Sequence, residues 1–365
     1  MNPDQPALPP KTVPAHRRPI LAQRIGELRR AYTSETDTTL FFAADAIHAA
    51  LDLTQRTDVT RVLDGDYGAR LLGDPGPAVA PTIRSAVLLD TTTTPQQELE
   101  TALLLALGRV HTHYRHNPAM TPRAVCRMVR PTSEEMILHL SPQTLAVVLA
   151  ELLPREHDGR LVGLAGLRWR LLRRHVELFL ADAGPAVHVS IASTSHRQLT
   201  AAMAFATSIT GLTVSPNDEP APVSELEELA IAFGRVPGPV PVASALLRRF
   251  GLFHRADWLS IYPAGSSCLR FDWGGGVSPA QVAARLAHPI AGLPTDQFAT
   301  VTQLDGTVVM RCEDLGATVA LRQHDVAHPR RITEAWTAGH HASTAPISTS
   351  TAVHDGQPSR TPHCS

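Results

Sequence analysis

Residues 186–212 read AVHVSIASTSHRQLTAAMAFATSITGL, and this stretch decides the fold class. Val187, Val189 and Ile191 alternate with His188, Ser190 and Ala192, the period of a strand with one buried face. Ser195 can then cap a helix, with Gln198 three residues on as a capping box requires. Leu199, Ala202, Met203, Ala206 and Ile209 follow at spacings of three and four, a single apolar stripe. Gly211 suits the left-handed residue that ends a helix. A strand that feeds directly into a capped amphipathic helix implies sheets with helices packed on them.

Upstream, Met136 to Leu140 is predicted as a strand, and Ser141-Pro142 starts a helix through Leu153. Arg160 to Trp169 and Leu171 to Leu180 are extended and paired. Downstream, Ser224 caps a helix from Glu225 to Gly234, with Glu227 at its third position, and Val242 to Phe250 is a short helix. Trp258 to Tyr262 and Cys268 to Trp273 flank a turn. Ser278-Pro279 with Gln281 restarts a helix through Leu286. Ala299 to Leu304 and Thr307 to Cys312 flank Asp305-Gly306, a two-residue hairpin signal, and Thr318 to Leu321 adds a strand. The two blocks share a rhythm of adjacent strands followed by a capped helix, but residue identity between them is too low to establish a duplication.

Before residue 130 the pattern is helical: Ile20 to Tyr32, Leu40 to Leu53, Thr94 to His113 with Thr94 as cap and Gln97 completing its box, and Thr121-Pro122 through Val129. The expected fold is α+β. A mainly helical region (20–130) precedes two small antiparallel or mixed sheet blocks (131–212 and 224–330), with helices on one face. A connector at 213–223 joins the blocks. A flexible lead (1–19) and a disordered tail (331–365) flank them. The turn-rich stretch from Asp64 to Pro77 is read as a loop, and Ile83 to Leu89 as a strand or a short buried piece.

The 365 residues suffice for two domains with real cores. With 43% hydrophobic residues the chain is not globally disordered. A net charge of −1 argues against a protein whose main work is to hold duplex nucleic acid, although a local patch could serve. The four cysteines, Cys126, Cys268, Cys312 and Cys364, form no CxxC pair and no disulfide framework, so a reducing compartment is expected. No run of eighteen apolar residues occurs, and the first thirty residues lack the form of a signal peptide. A cytoplasmic protein without a membrane partner is the reading.

No residue pattern names a reaction. Walker A, GxGxxG, HExxH, GxSxG, deaminase and kinase signatures are all absent. His111, His113 and His116 lie in HTHYRH, but without a nearby acid they suit a polar helix end, where cations face the negative dipole. Asp64-Gly65-Asp66 reads as turn chemistry, and Cys268 and Cys312 with His254 and His288 are too irregularly spaced for zinc. No metal and no cofactor is called for.

Three sites remain as candidates. Ser193, Thr194, Ser195 and His196 occupy a strand–helix junction, where backbone N–H groups can hold an anion or a nucleophile can sit. Capping alone also explains Ser195. Arg168, Arg170, Arg173 and Arg174 form the main basic cluster, with Arg168 and Arg170 on one strand face opposite Trp169, and Arg173-Arg174 at a bend. They are the candidates for nucleic acid, with Arg29 and Arg30 as possible helpers, or a solvated sheet face. Trp258 and Trp273 are interface candidates, or core. The favoured expectation is a non-catalytic interaction or regulatory protein with a protein partner. The alternatives are a nucleic-acid-binding protein using Arg168 to Arg174, and a hydrolase at Ser193 to His196.

Overall fold

The computed structural model describes residues 20–65, 87–114, 122, 124–132, 135–192, 194–210, 222–295 and 297–325. The expected lead and tail, most of the connector and of the 64–77 loop, and Ser193, His116 and Cys364 lie outside these residues.

The fold is α+β, with N-terminal helices followed by two mixed sheets and their flanking helices. Helices α1 (Ile20–Thr33), α2 (Asp37–Ala50) and α3 (Leu53–Asp64) come first. The sequence reading ran α2 on to Leu53 and missed α3. Asp52 starts α3 through a full capping box with Gln55, a D-x-x-Q signal present in the sequence. Helix α4 (Thr94–Gly108) and the short α5 (Val110–Tyr114) follow, where one helix was expected. Thr93 rather than Thr94 is the cap, and the Gln97 side chain donates to the Thr91 carbonyl instead of closing a box. Helix α4 is buried almost all round from Leu99 to Gly108, so it is a core helix, not a surface helix with one apolar stripe.

The first block contains β1 (Cys126–Pro131), β2 (Met136–Leu140), α6 (Pro142–Leu152), the small hairpin β3 (Arg155–His157) and β4 (Arg160–Val162), then β5 (Leu167–Leu172), β6 (His175–Leu180), β7 (His188–Ala192) and α7 (His196–Thr210). The expected helix through Val129 is instead strand β1. A short apolar run fits either period, and pairing with β2 decides it. Helix α8 (Glu225–Phe233) and helix α9 (Val240–Arg248), with a 3-10 turn at Phe250–Phe253, lead into the second block. That block holds β8 (Trp258–Pro263), β9 (Cys268–Gly274), α10 (Pro279–Leu286), β10 (Phe298–Thr302), β11 (Val308–Cys312) and β12 (Ala317–His324).

The two sheets have one topology. In the first the order is β1-β2-β7-β6-β5; in the second, β8-β9-β12-β11-β10. Each is a hairpin, a helix, and a three-stranded meander whose last strand lies parallel to the second strand of the hairpin: β2 with β7, and β9 with β12. Each is preceded by a core helix, α4 or α9. These two helices pack on each other, and each leans on the first strand of the opposite block, α4 on β8 and α9 on β1. The fold is therefore a pseudo-two-fold pair of ββαβββ units with exchanged helices. Sequence rhythm hinted at this, and strand order makes it explicit.

Three buried arginines hold the segment from Val87 to Asp90 in this frame. Arg29 binds Glu35 at 2.5 Å and donates to the carbonyls of Val87 (2.8 Å) and Pro131 (2.6 Å). Arg248 pairs with the fully buried Glu100 and donates to the Leu89 carbonyl. Arg249 grips Asp90 at 2.6 and 2.8 Å and donates to the carbonyls of Ala291 and Gly292. Residues Val87 to Asp90 are thus held from α1, from α9 and from the second block. Arg29 is a core residue, and Arg30, which is exposed, pairs with Asp37.

Candidate functional site

The register of the first sheet separates the basic cluster into two parts. Arg170 sits opposite Glu177 and Arg168 opposite Phe179, both on the face away from Trp169, as the alternation predicted. Both are occupied by acids. Arg168 bonds Glu227 at 2.9 and 3.1 Å and the Pro222 carbonyl, while Arg170 pairs with Glu177 and lies over the Phe179 ring. Burial alone would raise the Glu227 carboxyl, but the Arg168 side chain and the N–H groups of Ser224 and Gly166 outweigh it and hold it at about 2. The acidic helix α8 therefore uses its third position to fasten β5.

Arg173 and Arg174 form the two-residue turn between β5 and β6, closed by the Leu172–His175 pair. Both are exposed, and neither makes an ion pair among the described residues. The Thr194 N–H donates to the Arg174 carbonyl at 2.9 Å, which brings this turn against the start of α7. Helix α7 begins with His196 and Arg197, both exposed, and has no acid in its first turn. The Arg197 cation at that end opposes the helix dipole, a cost of about 0.3–1 kcal/mol. Because β2 and β7 run parallel, α6 and α7 start at the same end of the sheet as the turn, with α7 the nearer of the two. The two candidate sites read separately in the sequence, the junction after β7 and the arginine doublet, thus meet at one corner.

Within the junction, the backbone donors of Thr194, Ser195 and Gln198 are engaged. The Ser195 N–H donates to Gln198 Oε1 at 2.9 Å and the Gln198 N–H to Ser195 Oγ at 3.3 Å, the expected capping pair. Thr194 is buried, and its hydroxyl faces the Ile191 carbonyl. His196 is exposed, and no acid or base converges on its ring among the described residues. Arg197, which the sequence reading did not single out, is the residue that completes the corner.

The other candidates resolve into structure. Trp258 and Trp273 are 6% and 1% exposed, the core placement of the two readings; Trp273 Nε1 donates to the Val277 carbonyl, and Trp258 lies against Gly274 and at a tilt to the His324 ring. Exposed apolar side chains lie elsewhere, at Phe42 on α2 and at Leu229 and Phe233 on α8. Asp305-Gly306 is not a two-residue turn. The ladder ends at Thr302–Val308, and Gly306 sits at φ +80° behind a turn closed by its N–H to the Gln303 carbonyl, a bulged hairpin. Cys126 and Cys312 are buried thiols, their pKa values pushed up to about 12 by burial. Cys268 is also buried. No group of three His, Cys, Asp or Glu side chains able to hold a metal occurs among the described residues.

One polar cluster escaped the sequence reading. Asp272 of β9, fully buried, accepts from His324 Nε2 at 2.6 Å, Arg270 Nε at 3.0 Å and the Tyr262 hydroxyl at 3.0 Å. Burial opposes its charge, but His324 and Arg270 keep the carboxyl below its usual range. Its partners come from three neighbouring strands, a relation visible only through sheet order. With three donors satisfied, it fastens the end of β12 to the β8–β9 hairpin.

The histidine run divides similarly. His113 Nε2 meets Glu151 at 2.6 Å, and Arg109 shares that carboxylate. His111 is buried, accepts from the Leu259 N–H at Nδ1, and is lowered to about 4 by desolvation. The unfolded chain therefore binds a proton between pH 6.5 and 4 that the folded chain refuses, so stability falls as pH drops through that window, by up to about 3 kcal/mol at its lower end. His139, also lowered by burial, adds to the slope, while Glu151 and Glu227 titrate below it, near 2. Urea melts at pH 7.0 and 5.0 are expected to show this loss, and His111→Gln is expected to remove most of it; an unchanged slope in that variant would assign the effect to other groups.

No helix among the described residues is long and apolar enough to cross a membrane. No family model, no curated protein and no solved structure matches the chain, so its own geometry is the ground for a functional reading.

Proposed function

We propose that the chain is a non-catalytic interaction protein that engages a partner through the basic corner of its first block. The observation that carries this reading is the convergence of Arg173, Arg174 and Arg197, exposed and without ion pairs among the described residues, at the end of the sheet where α6 and α7 begin. Arg29, Arg168, Arg248 and Arg249, by contrast, are each held in a close ion pair. An unneutralised group of arginines on such a scaffold costs self-repulsion and supplies an attraction for anionic partners.

Nucleic acid is the second reading of the same corner, since phosphate is the other common target of clustered arginine. Retention on immobilised heparin, a generic polyanion, tests whether the corner binds anions at all. The wild type is expected to elute at higher salt than the Arg173→Ser/Arg174→Ser/Arg197→Ser variant, while both give the same circular dichroism. Identical elution would remove the corner as a binding surface.

A further inference from the structure

Resting on the reading of the corner as a binding surface, we propose that its ligand is an acidic polypeptide segment, gripped by Arg173, Arg174 and Arg197. The backbone supplies the first argument. Arg173 has φ +45°, in the left-handed region where a side chain is disfavoured and glycine is at ease. A two-residue hairpin turn is the standard place for Gly or Asn. The second block contains the topological counterpart of this turn, between β10 and β11, and there the positive-φ position is taken by Gly306. The two turns differ in length, the second being a bulged hairpin, yet each has a positive-φ position: glycine takes it there, and an arginine takes it here. The charge pattern gives the second argument, since Arg197 stands at the unfavourable end of α7. Two independent local preferences are overridden at one corner, and both are overridden toward positive charge, the pattern expected where binding outweighs stability.

The extent of the patch separates the two macromolecular classes. A duplex-binding face follows the phosphate backbone with many cations, but Arg168 and Arg170, which would extend the stripe along β5, are held by Glu227 and Glu177. Stacking on bases needs free aromatic faces; Trp169 faces the opposite side of the sheet from Arg168 and Arg170, and Phe179, on their side, is already covered by the Arg170 guanidinium. What remains is compact: three guanidinium groups, each able to hold a carboxylate through paired N–H donors, beside the partly exposed Leu172. A short stretch of Asp or Glu with an apolar neighbour fits it.

The test titrates the full chain into fluorescein-labelled deca-glutamate and labelled dT10 at low and at moderate salt, following anisotropy. The peptide is expected to bind more tightly than the oligonucleotide. Arg174→Ser and Arg197→Ser are each expected to weaken peptide binding by about fivefold. Arg173→Gly is the decisive variant: it is expected to keep or raise the melting temperature, because it relaxes the turn, while also weakening the peptide by about fivefold. A structural role for Arg173 would give the opposite pair of results. Tighter binding of dT10 would overturn the partner class and leave the corner as a binding surface. Peptide affinity unchanged in Arg173→Gly and Arg197→Ser would overturn the proposal itself. Loss of the heparin difference described above would overturn the underlying reading as well.

Discussion

Replacing Arg249 with Met is expected to be the most damaging single change in the frame, at about 3–5 kcal/mol. The Arg249 side chain is fully buried, and every direction it points in is occupied: Asp90 on one side, and the carbonyls of Ala245, Ala291 and Gly292 on the others. Methionine fills much of the volume but leaves the Asp90 carboxylate without its cation and two loop carbonyls without donors. Breaking one half of a buried pair costs far more than the pair contributes, because the remaining charge is stranded in low dielectric. The loss is a large share of the roughly 5–15 kcal/mol that holds a typical domain. Urea denaturation followed by tryptophan fluorescence is the measurement. The midpoint should fall by well over 1 M, given a slope of about 1–3 kcal/mol per molar. A midpoint within a few tenths molar of wild type would show that Val87 to Asp90 is not anchored through Arg249.

The second large effect is expected at Gly108. This last residue of α4 lies against the backbone of β8, and a Cβ placed there would stand 2.5 Å from the Ile261 Cβ and 2.6 Å from its nitrogen. Neither atom belongs to a flexible side-chain end, so α4 would have to back away from the sheet. That contact is one of the two exchanged helix–strand contacts on which the pseudo-two-fold pairing rests. Gly108→Val is expected to destabilise by about 3 kcal/mol or more, the upper end for overpacking, and to lower the near-ultraviolet signal of the packed aromatics. Gly65→Ala is the matched control, since its new Cβ would meet only ordinary contacts at 3.5 and 3.7 Å. Equal melting temperatures for the two variants would contradict the close approach of the blocks.

Periodicity made much of this legible. The strand-to-helix unit from Val187 onward, the caps at Ser141, Ser224 and Ser278, and the hairpin around Pro263 to Ser267 stand close to where the residue pattern put them. Local signals failed where tertiary partners decide. Cys126 to Val129 became a strand because β2 pairs with it. Arg29 and Arg249 carry charges that sequence reading assigns to a surface, and only the distant Glu35, Asp90 and loop carbonyls explain their burial. Of the corner, Arg173 and Arg174 were visible as a doublet at a bend. Their neighbour Arg197 was hidden because one backbone bond, from Thr194 to Arg174, makes the link across twenty residues. The common topology of the two sheets was likewise hidden, since strand order leaves no trace in local composition.

Amide hydrogen exchange of the full chain, with and without deca-glutamate, tests the account most directly. The expected result is slowed exchange on adding the peptide, confined to 172–175 and the start of α7 at 194–198, and absent in Arg173→Gly. Slowed exchange centred on another surface, such as α8 with its exposed Leu229 and Phe233, or none at peptide concentrations that saturate the anisotropy signal, would contradict the assignment of this corner as the place where the protein meets its partner.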